Sequence, residues 1–289
     1  MDSSAGCALC DSDHRRGSED CPASRVGKVI AGKYRLDRLM GVGGMGAVYS
    51  ATHATLGTEV AIKMIHARFA SNEKIAKRFD QEARRVAALS HPGIVQVSDL
   101  GRDTDGSPYL EMELLDGTPV DALLKEGPLS LEKAADIVDQ ALEALEYAHG
   151  QGIVHRDLKP ENLFLVGEQA KILDFGIAKA MEEADAAGMT QTGSVMGTPV
   201  YMSPEQLTDA KRVDARTDIY AMGATLYELL TASHTVSGAT YPELISKVLQ
   251  GQVDRAPRVK RPELPEIIDE VVSKALAQKP EDRYTSAST

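Results

Sequence analysis

The sequence predicts an α+β protein of two lobes, a small β-rich lobe with one main helix followed by a larger, mainly helical lobe. Short β-like runs dominate residues 34–115, and from about residue 119 the apolar positions follow a helical period instead. The length of 289 residues suffices for one large domain or two modest ones. Two lobes imply a cleft between them, where ligands commonly bind.

Composition narrows the classes of function. The chain is 43% hydrophobic and 26% charged, an ordinary soluble globular composition. Its 32 basic and 43 acidic residues give a net charge of −11, which argues against a nucleic-acid partner because such binding needs clustered cations. Apolar runs stay below the roughly 18 residues of a spanning helix, and the N-terminus lacks a signal pattern. We therefore expect a cytoplasmic chain with no membrane segment.

Residues 1–28 form a predicted appendage, because they are small, polar and acidic without helical or strand period. All three cysteines lie here, so the remainder is expected to fold without disulfides. Cys7, Cys10, His14 and Cys21 could supply a tetrahedral zinc site, with Asp20 or water as an alternative to His14. The other reading is a tail with reduced thiols.

The small lobe is predicted from five β-like runs and one helical stretch at about residues 72–89. Between the first two runs, residues 40–48 are rich in glycine, and their backbone N–H groups could approach phosphate oxygens closely. No helix follows, which disfavours a dinucleotide fingerprint, and the P-loop pattern is absent. A flexible hairpin is the alternative. The runs are YRLDRLM, AVYSAT, EVAIKMI, IVQVSDL and YLEMELL.

Two charged residues of this lobe fall on apolar faces. Strand alternation places Lys63 on the same face as Ala61 and Ile65, and Glu82 falls within the apolar stripe of the helix. An unpaired buried charge is costly, so we expect the two to form an ion pair. The alternative is a partly exposed glutamate at the edge of the stripe. The stripe consists of Ile75, Phe79, Val86 and Leu89.

Two helices are predicted in the large lobe from the i, i+3, i+4 rhythm of apolar residues. Ser130 is a suitable N-cap for the first, and the second covers residues 219–230. Two brief strands lie between them. The stripe of the first helix is Ala134, Ile137, Val138, Ala141, Leu142, Leu145 and Ala148.

Polar residues flank these two brief strands. A hairpin centred on Glu168 would place Asn162 opposite Asp174. Amide and carboxylate oxygens are ligands that suit Mg²⁺. Asp157, on the preceding turn, can accept a proton from an attacking hydroxyl. Taken alone, either aspartate could instead be a turn residue or a helix cap.

Together these residues resemble the protein kinase family, specifically the bacterial serine/threonine kinases of eukaryotic type. The similarity runs from about Tyr34 to the C-terminus. It implies a protein kinase fold with an appendage (residues 1–28), a small lobe (29–115) and a large lobe (116–289) that stops within its last helix. The motifs are GVGGMGAV, VAIK, the helix Glu82, HRDLKPEN, DFG, GTPVYMSPE, Asp218 before IYAMG, and Arg283 in PEDRY.

The resemblance implies an ATP site. The glycine-rich segment would cover the phosphates, while Lys63, paired with Glu82, would hold the α- and β-phosphates. Glu113 and Leu115 would offer backbone groups to the base. The other implied ATP-binding residues are Met40, Gly41, Val42, Gly43, Gly44, Met45, Gly46 and Ala47 at the phosphates, Val48, Ala61 and Phe164 around the adenine, and Met112 as gatekeeper.

The same resemblance assigns the catalytic roles. Asp157 would be the catalytic base, Lys159 would contact the γ-phosphate, and Asn162 and Asp174 would bind Mg²⁺, with Mn²⁺ as an alternative metal. Lys159 within HRDLKPEN is similar to the serine/threonine branch of the family.

Control by phosphorylation is also implied, because Arg156 precedes Asp157. Thr190 and Thr192 are the implied phosphosites, and phosphate there would pair with Arg156 and order the loop. Protein substrates are the implied partners, together with a homodimer formed through small lobes. The implied structural residues are Thr198, Asp218, the pair Glu205 and Arg283, and the stack of His155, Phe175, Val86 and Val97.

We therefore expect an ATP-dependent serine/threonine protein kinase that phosphorylates its own activation loop. A pseudokinase-like signalling scaffold is the alternative, which the presence of Lys63, Asp157 and Asp174 opposes. A small-molecule kinase is opposed by residues 197–205, which resemble a peptide-binding segment.

The chain departs from the family at residues 232–236, Ala-Ser-His-Thr-Val, where a Gly-x-Pro-Pro-Phe turn is usual. A longer protein anchored in a membrane through a region after Thr289 is compatible with this expectation.

Overall fold

The computed structural model describes residues 21–43, 46–65, 73–175, 199–208 and 213–289, which divide into two compact units. Among these residues the small lobe comprises 21–43, 46–65, 73–88 and 96–115. The large lobe comprises 89–95, 116–175, 199–208 and 213–289. The predicted α+β class with a small β-rich lobe and a larger helical one is confirmed.

A six-stranded antiparallel sheet forms most of the small lobe. Its strand order is β1-β2-β3-β4-β6-β5, so only β5 and β6 depart from chain order. The β2–β3 hairpin carries the glycine-rich segment at its tip, where Gly43 pairs with Gly46. The strands are β1 (Val29–Ile30), β2 (Tyr34–Gly43), β3 (Gly46–His53), β4 (Glu59–Ile65), β5 (Val97–Arg102) and β6 (Pro108–Glu113).

One face of this sheet forms the hydrophobic core of the lobe. Successive side chains of a strand point to opposite faces, so alternate residues of β3 and β4 pack together. Tyr49 and Ile62, which lie opposite each other, are almost fully buried. The core residues are Ile30, Tyr34, Leu36, Ala47, Tyr49, Ala51, Val60, Ile62, Met64 and Tyr109.

Residues 21–28 belong to the small lobe, although they were expected to be part of the appendage. The Tyr49 hydroxyl donates to the carbonyl oxygen of Pro22 at 2.9 Å, and Cys21 is buried. The Arg25 guanidinium forms ion pairs with Asp105 at 2.6 Å and with Asp103 at 3.5 Å. These contacts fasten the segment to the turn between β5 and β6.

Among the described residues of the small lobe, the one α-helix is α1 (Glu73–Ala87), close to the predicted residues 72–89. Phe79, Ala83 and Val86 are buried along one face. Asp80 accepts a hydrogen bond from Arg102 of β5 at 3.1 Å, which ties the helix to the sheet. Helix α1 is therefore attached to β5 of this lobe.

Two long helices organise the large lobe. Helix α3 begins as predicted, because the Ser130 hydroxyl accepts from the backbone N–H of Lys133 at 3.2 Å and caps its first turn. Every residue of α5 from 217 to 230 is buried except Glu228. The helices are α2 (Val120–Leu124), α3 (Leu131–Gly150), α4 (Pro204–Thr208), α5 (Arg216–Thr231), α6 (Tyr241–Leu249) and α7 (Glu266–Ala275).

The residues expected to bind metal, Asn162 and Asp174, flank a small sheet of three strands. Its order is β7 (Thr118–Pro119), β8 (Leu163–Val166) and β9 (Gln169–Ile172). Val166 pairs with Gln169, so the β8–β9 turn contains only Gly167 and Glu168. Gly167 has φ +61°, a conformation that glycine adopts at little cost and that two-residue hairpins require.

The expected pairing of Asn162 with Asp174 is therefore wrong by one position. The two-residue turn shifts the register, and the N–H of Leu173 donates to the carbonyl oxygen of Asn162 at 2.9 Å. Asp174 is the residue after Leu173, so it still lies near Asn162, which directly precedes β8.

Candidate active site

In the small lobe, one face of the sheet opposes the hydrophobic core and carries the residues expected to bind ATP. Val48 lies opposite Lys63 on β4, and Ala61 lies opposite Met112 on β6. Lys63 follows Ala61 by two residues, so all four side chains share one face. Lys63 is half-buried, while Ala61 and Met112 are buried. The Lys63 side chain therefore extends from the same face of the sheet as three apolar side chains.

Glycines at the tip of the β2–β3 hairpin leave its backbone exposed. A Cβ atom at Gly41 or Gly43 would meet no other atom within 4 Å, so the packing of the lobe does not require glycine there. Gly46 differs, because a Cβ atom there would overlap the carbonyl oxygen of Met64. The bare backbone at Gly41 and Gly43 leaves room for a ligand to approach closely.

The end of β6 has its polar groups fixed by Gln96. The N–H of Glu113 donates to the carbonyl oxygen of Gln96 at 3.0 Å. The carboxylate of Glu113 accepts from the N–H of Gln96 at 2.9 Å. The N–H and the carboxylate of Glu113 are therefore both bonded to the backbone of Gln96.

Glu82, the expected partner of Lys63, accepts a hydrogen bond from Arg85 at 3.2 Å. Arg85 is mostly exposed and lies one turn further along α1. The ion pair between Lys63 and Glu82 remains a prediction.

In the large lobe, three residues of the segment HRDLKPEN form one cluster. The Lys159 ammonium lies 3.2 Å from Oδ2 of Asp157. The side-chain nitrogen of Asn162 donates to the carbonyl oxygen of Asp157 at 2.7 Å and lies 3.3 Å from Oδ2. The cluster thus brings a carboxylate, an ammonium and an amide within hydrogen-bonding reach.

The buried carboxylate of Asp218 on α5 supports this loop. Its Oδ2 accepts from the backbone N–H of His155 and its Oδ1 from that of Arg156, both at 2.8 Å. Arg156 has φ +67°, a conformation that costs free energy in a residue other than glycine. Gln206 of α4 donates to the carbonyl oxygen of Arg156 at 2.7 Å, so hydrogen bonds hold the strained residue on both sides.

Asp174 is placed by the residues that surround it in sequence. The backbone of Leu173 contacts Asn162 through its N–H, and its carbonyl oxygen lies 2.7 Å from Nε2 of His155. Asp174 has φ +51°, which turns the chain after β9. The ring of Phe175 lies 4.8 Å from the ring of His155, so this part of the predicted stack is brought together.

Two supporting residues were not found from the sequence. His149 of α3 lies with Nε2 2.8 Å from Oδ2 of Asp218, and Gln206 holds Arg156. The sequence carried one signal for His149, since it adjoins Ala148 at the end of the buried stripe of α3. For Gln206 the sequence carried no such signal.

Glu205 and Arg283 form an ion pair in the large lobe, in which Arg283 is buried and Glu205 is partly buried. Two guanidinium nitrogens of Arg283 contact the two carboxylate oxygens at 2.6 and 2.8 Å. Thr217 also donates to Glu205 at 2.8 Å. Burial would raise the pKa of Glu205, but the hydrogen bond and charge of Arg283 outweigh burial and lower it. The pair joins α4 to the C-terminal end of the chain.

Several predicted residues lie outside the described part of the chain. Of the proposed zinc ligands only Cys21 is described, and the described residues contain no group of three or more His, Cys, Asp or Glu that could hold a metal. The predicted residues outside it are Cys7, Cys10, His14, Gly44, Met45, Thr190, Thr192 and Thr198.

Comparison with known proteins decides the family. The model of the protein kinase domain matches residues 34–289, nearly the whole chain. The chain belongs to the protein kinase family. It is 40% identical over 270 residues to the serine/threonine-protein kinase PknH of Mycobacterium bovis, covering 93% of this chain and 44% of PknH. This kinase domain is thus related to bacterial serine/threonine kinases of eukaryotic type.

Solved structures agree with this assignment. The crystal structure of the Mycobacterium tuberculosis PknI kinase domain aligns with a TM-score of 0.70 and 28% identity over 90% of this chain and 94% of that one. Rad53 in complex with AMP-PNP aligns with a TM-score of 0.73 and 26% identity over 90% of this chain and 65% of that one. Protein kinases use ATP and a divalent metal.

The chain spans less than half the length of PknH. In the part that the structure describes, no helix is both long and apolar enough to cross a membrane.

Proposed function

We propose that this kinase domain transfers the γ-phosphoryl group of ATP to serine and threonine hydroxyls of proteins, with Asp157 as the base. The cluster of Asp157, Lys159 and Asn162 carries the proposal. The hydroxyl oxygen bonds to the γ-phosphorus, the bond from that phosphorus to the β-phosphate oxygen breaks, and Asp157 takes the hydroxyl proton. Lys159 supplies positive charge beside the transferred group. ADP is the leaving group.

Support for Asp157 in this role comes from how the loop is held. Asn162 fixes the backbone carbonyl of Asp157, and Asp218 fixes the two residues before it. A carboxylate held in this way needs little rearrangement before it orients a hydroxyl. Transfer of this kind depends on positioning and charge rather than on a covalent enzyme intermediate.

The residues at the end of β8 fit a divalent metal. The amide nitrogen of Asn162 is used by Asp157, so its amide oxygen is the atom to present to a cation. The carboxylate of Asp174 is the second oxygen ligand, and the contact of Leu173 with Asn162 keeps the two residues near each other. Oxygen ligands of this type suit Mg²⁺ or Mn²⁺. When bound, the metal neutralises charge on the ATP phosphates.

The small lobe offers a surface for the nucleotide. Val48, Ala61 and Met112 form an apolar face for the adenine, and Lys63 stands beside them for the phosphates. Gly41 and Gly43 leave the hairpin backbone accessible to phosphate oxygens. The AMP-PNP bound to the structurally similar Rad53 supports an adenine nucleotide as the ligand.

Self-phosphorylation at Thr190 and Thr192 is part of the proposal. Asp218 and Gln206 fix the backbone of Arg156 on both sides, so its guanidinium projects from a defined point. A phosphate group carries about −1.5 to −2 charge at pH 7 and pairs well with arginine. Phosphothreonine paired with Arg156 would order the segment that contains it.

Two further predictions concern the N-terminal appendage and the small lobe. A zinc site formed by Cys7, Cys10, His14 and Cys21 predicts one zinc per chain, lost in Cys7→Ser. Metal-free protein of unchanged stability would contradict it.

A homodimer through the small lobes predicts twice the chain mass in sedimentation, and a monomer at micromolar concentration would contradict it.

Phosphate transfer from labelled ATP, with sites mapped by mass spectrometry, tests the proposal. We expect Mg²⁺-dependent label on Thr190 or Thr192 and on a generic basic protein, and loss of both in Asp157→Asn. Asp139→Asn is the matched control, since Asp139 is exposed on α3. Nucleotide binding without any transfer would contradict the proposal and favour a signalling scaffold.

A further inference from the structure

The segment where the chain departs from its family places a histidine beside α5. Helix α5 ends at Thr231, the next residue, Ala232, turns the chain with φ +49°, and His234 follows two residues later. Nδ1 of His234 lies 3.4 Å from Oε1 of Glu228, the one residue between 217 and 230 that is not buried. The His234 side chain is 47% exposed, so protons from solvent can reach it.

Glu228 also holds Tyr201 through its other carboxylate oxygen. The buried Tyr201 hydroxyl donates a hydrogen bond to Oε2 of Glu228. The imidazole of His234 lies edge-on to the Tyr201 ring, with ring centres 5.8 Å apart. Glu228 thus bridges a titratable imidazole and a buried tyrosine, one oxygen to each.

Tyr201 lies between Thr198 and helix α4. It ends the short turn Pro199–Tyr201, directly after Thr198 and before α4. Gln206 of α4 holds the backbone of Arg156, the residue before the proposed base. The position of Tyr201 is therefore linked through α4 to the catalytic loop.

The charges around His234 favour its protonated form. The hydrogen bond and charge of Glu228 raise the pKa of His234, and the charge of Glu161 adds to this. Burial and the charge of Lys260 oppose the rise. Burial, and then the hydrogen bond to Glu228, raise the pKa of Tyr201, with smaller contributions from Glu161 and Asp121. Tyr201 therefore remains a neutral donor over the range in which His234 titrates.

We propose that His234 is a positioning residue whose protonated imidazole holds Glu228 on Tyr201 and so fixes the peptide-binding segment around residues 199–206. Loss of the proton removes the positive charge of the imidazole, so the hydrogen bond between His234 and Glu228 is no longer charge-assisted and holds Glu228 less firmly. The inference rests on the proposed kinase function, because only a peptide substrate would sense the position of this segment.

The pH range follows from the direction of the shift. The fold favours the protonated form, so the contribution of His234 is complete below about pH 6.5 and is lost as pH rises through its raised pKa. Held segments bind peptide better than loose ones, so KM for a protein substrate should rise over this range. A partly exposed ion pair corresponds to a change of about two- to fivefold. We expect kcat to change less with pH than KM does, because Asp218 also holds the backbone of Arg156.

Nuclear magnetic resonance titration together with steady-state kinetics from pH 6 to 9 tests the inference. We expect the ring signals of His234 and Tyr201 to shift with one midpoint above pH 6.5, and KM to rise through the same midpoint. His234→Phe keeps an edge-on ring without a titrating nitrogen, and His234→Gln keeps a polar side chain that cannot titrate. Both variants should lose the pH-dependent rise in KM.

A matched control is His53→Phe, because His53 also lies edge-on to a tyrosine, Tyr34, at 5.2 Å. It should keep the wild-type pH profile. The inference would be overturned if both His234 variants kept the wild-type rise of KM with pH. It would also be overturned if the Tyr201 ring signal did not shift with the same midpoint as that of His234. Absence of any phosphate transfer would refute the proposed function instead. In that case the titration alone tests the contact between His234, Glu228 and Tyr201. Equal midpoints for the His234 and Tyr201 signals would support the contact, and different midpoints would overturn it.

Discussion

The backbone N–H of Arg156 donates to Oδ1 of Asp218 at 2.8 Å, so a buried carboxylate on α5 fixes the residue that precedes the proposed base. Arg156 has a left-handed φ of +67°, and a conformation of this kind persists only where the surroundings hold it. The cost of this conformation is thus offset by a carboxylate that the long helix α5 places in the interior.

Asp218→Asn tests this support. The amide nitrogen of asparagine cannot accept a hydrogen bond, so one of the two backbone N–H groups loses its acceptor. We expect a loss of about 1.5–3 kcal/mol in the free energy of unfolding, measured with urea. The rate of phosphate transfer should fall as well, because Asp157 follows the loosened residues. Asp214→Asn is the control, since Asp214 is exposed, and equal losses in the two variants would contradict the account.

Arg283→Met tests the ion pair between buried Arg283 and partly buried Glu205. Removing one partner leaves a partly buried carboxylate uncompensated, so we expect a loss of about 3–5 kcal/mol in unfolding free energy. The exposed pair of Lys247 and Glu243 provides the control, and Lys247→Met should cost no more than about 1 kcal/mol. Similar costs for both substitutions would show that burial does not set the value of the Glu205 pair.

The same pair predicts a pH dependence of stability. Because Arg283 lowers the pKa of Glu205 below its usual value of 4.5, the folded state favours the ionised carboxylate. Its contribution is present above pH 4.5 and is lost as pH falls through the lowered pKa. Wild-type protein should therefore lose more stability than Arg283→Met as pH falls below about 5. Parallel stability curves for the two proteins would contradict this origin.

Two glycines of the hairpin should respond differently to alanine. Gly46→Ala overlaps the carbonyl oxygen of Met64, so we expect a loss of about 1–3 kcal/mol or more in stability. Gly41→Ala meets no neighbouring atom and should change stability by no more than about 0.5 kcal/mol. It should instead raise KM for ATP, because a methyl group then stands where phosphate oxygens approach. An unchanged KM for ATP in Gly41→Ala would contradict the proposed nucleotide face.

Substitutions of Glu82 and Arg85 distinguish the proposed catalytic ion pair, Lys63 with Glu82, from the local pair, Arg85 with Glu82. If Glu82 pairs with Lys63 during catalysis, Glu82→Gln should lower kcat/KM by about tenfold or more, because Lys63 loses its orientation. Arg85→Gln removes only an exposed partner and should leave kcat/KM within about twofold. Equal effects of the two substitutions would argue that the ion pair on α1 is the functional one.

The strands of the small lobe and their two faces followed from the sequence, because alternation assigns each side chain to a face without knowledge of the partner strand. Lys63 and Ala61 share a face for this reason. The cap at Ser130 was also predictable, since it depends on residues one turn apart.

Contacts between distant residues escaped prediction. The β8–β9 register depended on whether Gly167 opens a two-residue turn, and a shift of one residue changes the partner of Asn162. Arg25 reaches Asp105 across 80 positions, His149 reaches Asp218 across 69, and Gln206 reaches Arg156 across 50. The periodicity of apolar residues along a strand or helix does not predict contacts between residues so far apart in the sequence.

The most direct test of the central claim is a single-turnover measurement of phosphate transfer with saturating Mg²⁺ and ATP, made on wild type and on Asp157→Asn. Because Asp157 acts on the hydroxyl and not on the nucleotide, we predict unchanged ATP affinity by calorimetry. The rate of transfer should fall by about 10²–10⁴-fold, the usual contribution of a general base. A rate within about tenfold of wild type at equal ATP affinity would contradict the account.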